Sequence, residues 1–79
     1  MKLDSRIAIF LWDEINRLGE DEISVTHDMI ANQIGSSREA VTRVMKYFEK
    51  EGMLELKRGK VLVRDREALK AMAYPKSVT

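Results

Sequence analysis

Between Thr26 and Glu51 the chain carries two short amphipathic helix patterns on either side of one glycine, Gly35. No other feature restricts the fold as much. Two helices joined by a turn of three or four residues must cross at a steep angle, so both need apolar faces at the crossing. In the first pattern, 27–34, Ile30, Ala31 and Ile34 share the inward side, and Thr26 stands ahead of it as an N-cap. Gly35 breaks that helix and can take a positive φ without steric penalty. Ser36 is expected to cap the next helix, with Glu39 three residues on completing a capping box. That helix runs to about Glu51 and stops at Gly52. Ala31 is small enough for close approach, and Val41 and Val44 supply the facing apolar side. A chance pair of short helices seldom also has glycine at the turn. The segment 26–51 therefore reads as a helix-turn-helix.

The flanking segments complete an architecture. Leu3, Ile7, Phe10, Leu11, Ile15 and Leu18 recur at steps of three and four, which predicts a helix over roughly 4–18 ended by Gly19. Glu20–Glu22 reads as a loop and Ile23–Val25 as a short strand. After Gly52, segments 53–57 and 60–64 alternate in hydropathy and join through Arg58-Gly59, a hairpin turn. Asp65 is placed to cap a last helix over 66–73. The order is helix, strand, helix, helix, hairpin, helix. It predicts a mainly α fold with a small β-hairpin wing (53–64): one winged helix-turn-helix domain over 1–79, with a three-helix core and a short C-terminal helix.

Composition removes several function classes. With no cysteine and a single histidine, the sequence offers no thiolate or histidine-cluster metal site and no nucleophile–base pair. Neither an enzyme nor a cofactor is expected. The longest apolar run, Ile7–Trp12, is far too short to cross a bilayer, and no signal peptide is visible, so a cytoplasmic location is expected and no membrane partner. Lys57-Arg58-Gly59-Lys60 lacks the phosphate-loop pattern. Met29, Met45, Met53 and Met72 are expected as core fillers and Trp12 as packing. His27 is expected to face solvent or touch phosphate.

The formal net charge is only +1, but it is unevenly spread. Residues 1–37 hold three basic and seven acidic residues, whereas 38–66 hold nine basic and five acidic. That pattern suits a face that meets phosphates; it also suits an ordinary mixed-charge surface. A helical wheel sharpens the choice. At about 100° per residue, Val44, Met45 and Phe48 fall within about 60° of Val41. Glu39, Arg43, Lys46 and Lys50 gather on the opposite side. Such a helix fits the DNA major groove, where arginine can bond guanine O6 and N7 and glutamate can accept from cytosine N4. Arg43 and Glu39 are thus base-reading candidates. Arg38 lies nearer the core face but, in the first turn, can reach past the helix tip. Taken singly, each of these charges is more often merely solvated. Lys46 on the same side, and Lys57, Arg58 and Lys60 at the hairpin tip, are candidates for phosphate. Lysine at an edge hairpin also serves simply to block aggregation.

Three stretches carry a resemblance. Thr26-His27-Asp28-Met29-Ile30-Ala31, Ile34-Gly35-Ser36-Ser37-Arg38-Glu39-Ala40-Val41-Thr42-Arg43-Val44 and Phe48-Glu49-Lys50-Glu51-Gly52-Met53-Leu54 resemble the C-terminal domain of the cyclic AMP receptor protein/Fnr (Crp/Fnr) regulators. The similarity runs through the wing to about Met72. It implies that Arg38, Glu39 and Arg43 read base edges, favouring a TGTGA-type half-site, and that Thr26 and Ser37 contact phosphate. It also implies a homodimer on a palindrome. There are departures: His27 and Asp28 stand where the family often has arginine or glutamine, and Asp28 would repel phosphate. Ala40 replaces a common threonine or serine. The family's sensing β-barrel and long dimerisation helix have no room in 79 residues, as in an excised domain or a truncated homologue, so effector sensing is not assigned to these residues.

The expected function is sequence-specific binding of double-stranded DNA in transcription regulation, with recognition helix 37–51 in the major groove. A contact with RNA polymerase is not assigned to any residue. The alternative is a winged-helix protein-interaction adaptor, which the cationic stripe disfavours. RNA binding is weaker still, because the few aromatic residues are mostly explained by the core.

Overall fold

A computed structural model describes residues 2–75. Its elements are α1 (Leu3–Leu18), β1 (Glu22–Ile23), α2 (His27–Ile34), α3 (Arg38–Lys50), β2 (Leu54–Lys57), β3 (Lys60–Val63) and α4 (Arg66–Ala73). The order matches the sequence expectation, and the architecture is a winged helix-turn-helix.

The core lies where α1, α2 and α3 meet the sheet. Ile7, Leu11 and Ile15 of α1, Ile30 of α2, and Val41, Met45 and Phe48 of α3 are fully buried. In α1 and α3 these positions repeat at three or four residues, so each of those helices turns one stripe inward. Ala31, beside Ile30 in α2, is buried as well. The α4 helix packs on α1 through Leu69 and Ala73. Asp65 caps it, its Oδ1 accepting from the Ala68 N–H at 3.0 Å. Trp12 is half-buried against the core, with the Lys70 ammonium 5.8 Å from its ring centre.

The sheet has the order β1-β3-β2, antiparallel throughout. Leu54 pairs with Val63 and Leu56 with Val61; Leu54, Val61 and Val63 are buried and Leu56 half-buried. Strand β1 is shorter and earlier than expected. Glu22, read as loop, joins β3 opposite Leu62, while Ser24 and Val25 leave the ladder, although Val25 stays buried.

Two further expectations are corrected. Ser36 does not cap α3. Its N–H bonds the Ala31 carbonyl at 3.0 Å, beside the Gly35 N–H at 2.8 Å, so Ser36 belongs to the closing turn of α2. Gly35 stands there at φ 78°. The cap is Ser37, extended at φ −80° and ψ 152°, whose Oγ accepts from the Ala40 N–H at 3.1 Å. Glu39 is then one position too early for a capping box. The second correction is Met29, which is 53% exposed rather than in the core. Met45 and Met53 are buried, and Met72 packs partly on the core.

Candidate nucleic-acid interface

Because α3 buries Val41, Met45 and Phe48, its opposite side must face solvent. Glu39, Arg43, Lys46 and Lys50 are all exposed there. Among the described residues, none of Arg43, Lys46 and Lys50 enters an ion pair, and no side-chain bond engages Glu39. The helix thus presents an open, mainly cationic ridge.

The start of α2 abuts this ridge. Thr26 caps α2 by accepting from the Met29 N–H at 3.1 Å. His27 Nδ1 lies 2.8 Å from Thr42 Oγ1, which ties the first turn of α2 to the middle of α3. Burial, and then the nearby positive charge of Arg38, hold the His27 imidazole below its ordinary value; Asp28 opposes this and Lys46 adds to it. Arg38 is exposed and leans toward Asp28, with Nε 3.8 Å from its carboxylate. The acid expected to repel phosphate is therefore partly offset by a base-reading candidate. On the far side of the turn, Arg6 of α1 donates to the Ile34 carbonyl and fixes the end of α2.

The wing stands on the other flank. Lys57 and Lys60 form the last cross-strand pair, and Arg58 and Gly59 make the turn, Gly59 at φ 70°. A cleft of about 290 Å³ opens between the wing and the helix pair, lined by Thr26, His27, Arg38, Lys57 and Lys60 among others. Of the sequence-predicted residues it gathers Thr26, Arg38, Lys57 and Lys60. Arg43 lies instead beside a second, more apolar groove with Leu3, Val44 and Tyr47. Ser37 is exposed at the tip of α3, and Arg58 at the tip of the wing, outside any ion pair among the described residues.

Sequence reasoning missed how many of these cations are already paired. Glu22 Oε2 accepts from Lys57 Nζ at 2.9 Å, and its Oε1 lies 3.9 Å from Lys60 Nζ. Arg66 bonds Asp21 at 2.5 Å, and Arg64 pairs with Glu55. The 35-residue separation of Glu22 and Lys57 left no local signal; only the docking of β1 on β3 brings them together. Among the described residues no cluster of three or more His, Asp or Glu could hold a metal, and no helix is long and apolar enough to cross a membrane.

Comparison with known proteins agrees with this geometry. The chain matches the model of the Crp-like helix-turn-helix domain over residues 5–72. A solved structure from Eubacterium rectale, described as a transcriptional regulator of the Crp/Fnr family, is similar at 42% identity over 91% of this chain and 33% of its own, with a TM-score of 0.88. The catabolite activator protein of Thermus thermophilus is similar at 32% identity over 90% of this chain and 33% of its own, with a TM-score of 0.81. A transcriptional regulator of the CRP/FNR family, also from Thermus thermophilus, is 28% identical over 98% of this chain and 43% of its own, with a TM-score of 0.83. The chain spans about a third of the length of the first two. No curated protein matches it.

Proposed function

Because this chain belongs to the Crp-like helix-turn-helix domain family, we propose that it binds double-stranded DNA with α3 in the major groove and the wing on the flanking backbone. The family and the regulators that resemble the chain support sequence-specific DNA binding in transcription regulation. One observation carries the residue-level reading. The uncovered ridge of α3, the capped start of α2 and the basic wing border one another, and a cleft runs between the last two.

In this reading Arg43 bonds guanine and Glu39 accepts from cytosine, freed from any capping duty. Arg38 reaches bases from the first turn once it leaves Asp28. Thr26, Ser37, Lys46, Lys57, Arg58 and Lys60 hold phosphates and set the register. The hydroxyls of Thr26 and Ser37 already accept backbone hydrogen bonds, so each still has its own proton to donate to a phosphate oxygen. The regulator acts as a homodimer, two copies of α3 lying about one helical turn apart on a palindrome. No catalytic step belongs to this reading.

The test is selection from a random duplex pool, followed by titration of the selected and of random duplex at several salt concentrations. A recurrent half-site and a steep salt dependence are expected. Absence of binding to any duplex at low salt would leave the adaptor reading in its place.

A further inference from the structure

Two of the three basic residues at the wing tip, Lys57, Arg58 and Lys60, share a single acid. Glu22 lies on β1, opposite Leu62 of the central strand β3. From there its carboxylate reaches the hairpin, bonding Lys57 Nζ at 2.9 Å through one oxygen and lying 3.9 Å from Lys60 Nζ through the other. Lys57 and Lys60 are the cross-strand pair that closes the hairpin, so one carboxylate spans both strands. The bond shows from both sides: it pulls the Glu22 carboxyl down and pushes the Lys57 ammonium up. All three side chains remain partly open to solvent, between 39% and 52% exposed. Lys57 and Lys60 also line the cleft between wing and helices, where a DNA backbone would pass.

We propose that Glu22 competes with DNA phosphate inside the chain, holding Lys57 and Lys60 so that the wing joins DNA by exchanging one anion for another. The inference rests on the wing being a phosphate contact. A phosphate that arrives here meets two ammonium groups already facing an anion, and it meets that anion's repulsion. The wing tip therefore contributes less to binding than its three basic residues suggest. Arg43 and Lys46 on α3 enter no ion pair among the described residues, so no acid competes with phosphate there. The effect is a lower affinity for all duplexes alike, because backbone contacts carry no sequence information. Glu22 thus weakens the non-specific term and leaves recognition to α3.

The decisive variant is Glu22→Gln, which keeps the shape and removes the charge. Fluorescence anisotropy of wild type, Glu22→Gln, Lys57→Gln and the double variant, on selected and random duplex across a salt series, reads the effect. Glu22→Gln is expected to tighten binding to both duplexes about two- to fivefold, the strength of an exposed ion pair. The slope of log K against log salt steepens by about one. On the Lys57→Gln background the gain shrinks. Equal or weaker binding by Glu22→Gln, while wild type binds, overturns the proposal, since Glu22 would then only support the wing. A gain of full size without Lys57 also overturns it, because net charge alone would explain the change. Failure of both wild type and Glu22→Gln to bind any duplex at low salt removes the DNA reading itself. Binding by Glu22→Gln alone supports the brake. Glu22→Ala gives a second charge-free side chain, on which the same tightening is expected.

Discussion

Exchanging Ser37 and Ser36 for alanine, one at a time, tests where the recognition helix begins. The Ser37 hydroxyl satisfies the Ala40 N–H at 3.1 Å, one of the orphan donors at the start of α3. The bond lies at the surface, so water replaces it in part when it is lost. Removing such a cap costs about 1 kcal/mol, within a range of about 0.5–2 kcal/mol. In a domain of this size that is a fall in melting temperature of about 4–8 °C. Ser36 makes its contribution through its backbone N–H, which alanine retains. Ser36→Ala should therefore change stability by less than about 0.5 kcal/mol. Thermal and urea unfolding followed by circular dichroism separate the two. A loss at Ser36 equal to or larger than that at Ser37 would refute the reasoning. It would mean that α3 starts one residue earlier and that Glu39 sits in a capping box, not free at the groove.

Arg43→Ala should weaken binding to the selected site by about 1–3 kcal/mol and relax preference at one base pair; an equal loss on random duplex argues against base reading. Lys57→Ala should weaken all sequences alike in the same titration, and any change of preference refutes a backbone role. Met45→Ala, which opens a cavity in a fully buried position, should cost about 2–5 kcal/mol, whereas exposed Met29→Ala should stay within about 0.5 kcal/mol by urea unfolding. The stability contributed by neutral His27 is complete above its ordinary value of 6.5. It is lost as pH falls from there toward the lower folded-state value, because the unfolded chain takes up the proton first. Melting at about pH 7.5 and about pH 5.5 should thus show a drop that shrinks in His27→Gln; an identical drop in the variant refutes the assignment.

Much of the fold was legible because its signals are local. The stripe of α3 and the Asp65 cap of α4 each depend on residues within one or two turns, and both stand where the sequence puts them. The Ser36 cap failed because Gly35 and Ser36 form a two-residue closure of α2, and a motif ending one helix took the residue a motif starting the next one needed. Met29 failed because apolar character alone does not decide burial: the neighbours Ile30 and Ala31 take the inward side of a helix only two turns long. The exposed ridge of α3 followed from the wheel, since burying Val41 and Phe48 dictates where Arg43 and Lys46 point. The ion pairs of the wing did not follow. They depend on which strand of the hairpin β1 joins, and no spacing in the sequence encodes that choice.

The pairing of charges bears on how a domain with a net charge of only +1 can meet a polyanion at all. Its long-range pull on DNA is small, and screening shortens it to about 8–10 Å at physiological salt. Attraction must therefore be local, and here it is graded. Lys57 and Lys60 share Glu22, and Arg38 leans on Asp28, so part of their charge is offset by nearby acids. Arg43, Lys46 and Lys50 lie on one helix face with no acid partner among the described residues. Among the described residues, cations without an acid partner are thus more numerous on the helix proposed to read bases than at the wing tip, where Arg58 stands alone. Binding to random sequence draws on both, and Glu22 opposes the wing wherever the wing meets a backbone, so it lowers both affinities by about the same factor and leaves their ratio to α3. A gain in Glu22→Gln confined to the selected site would show instead that wing contact depends on the fit of α3.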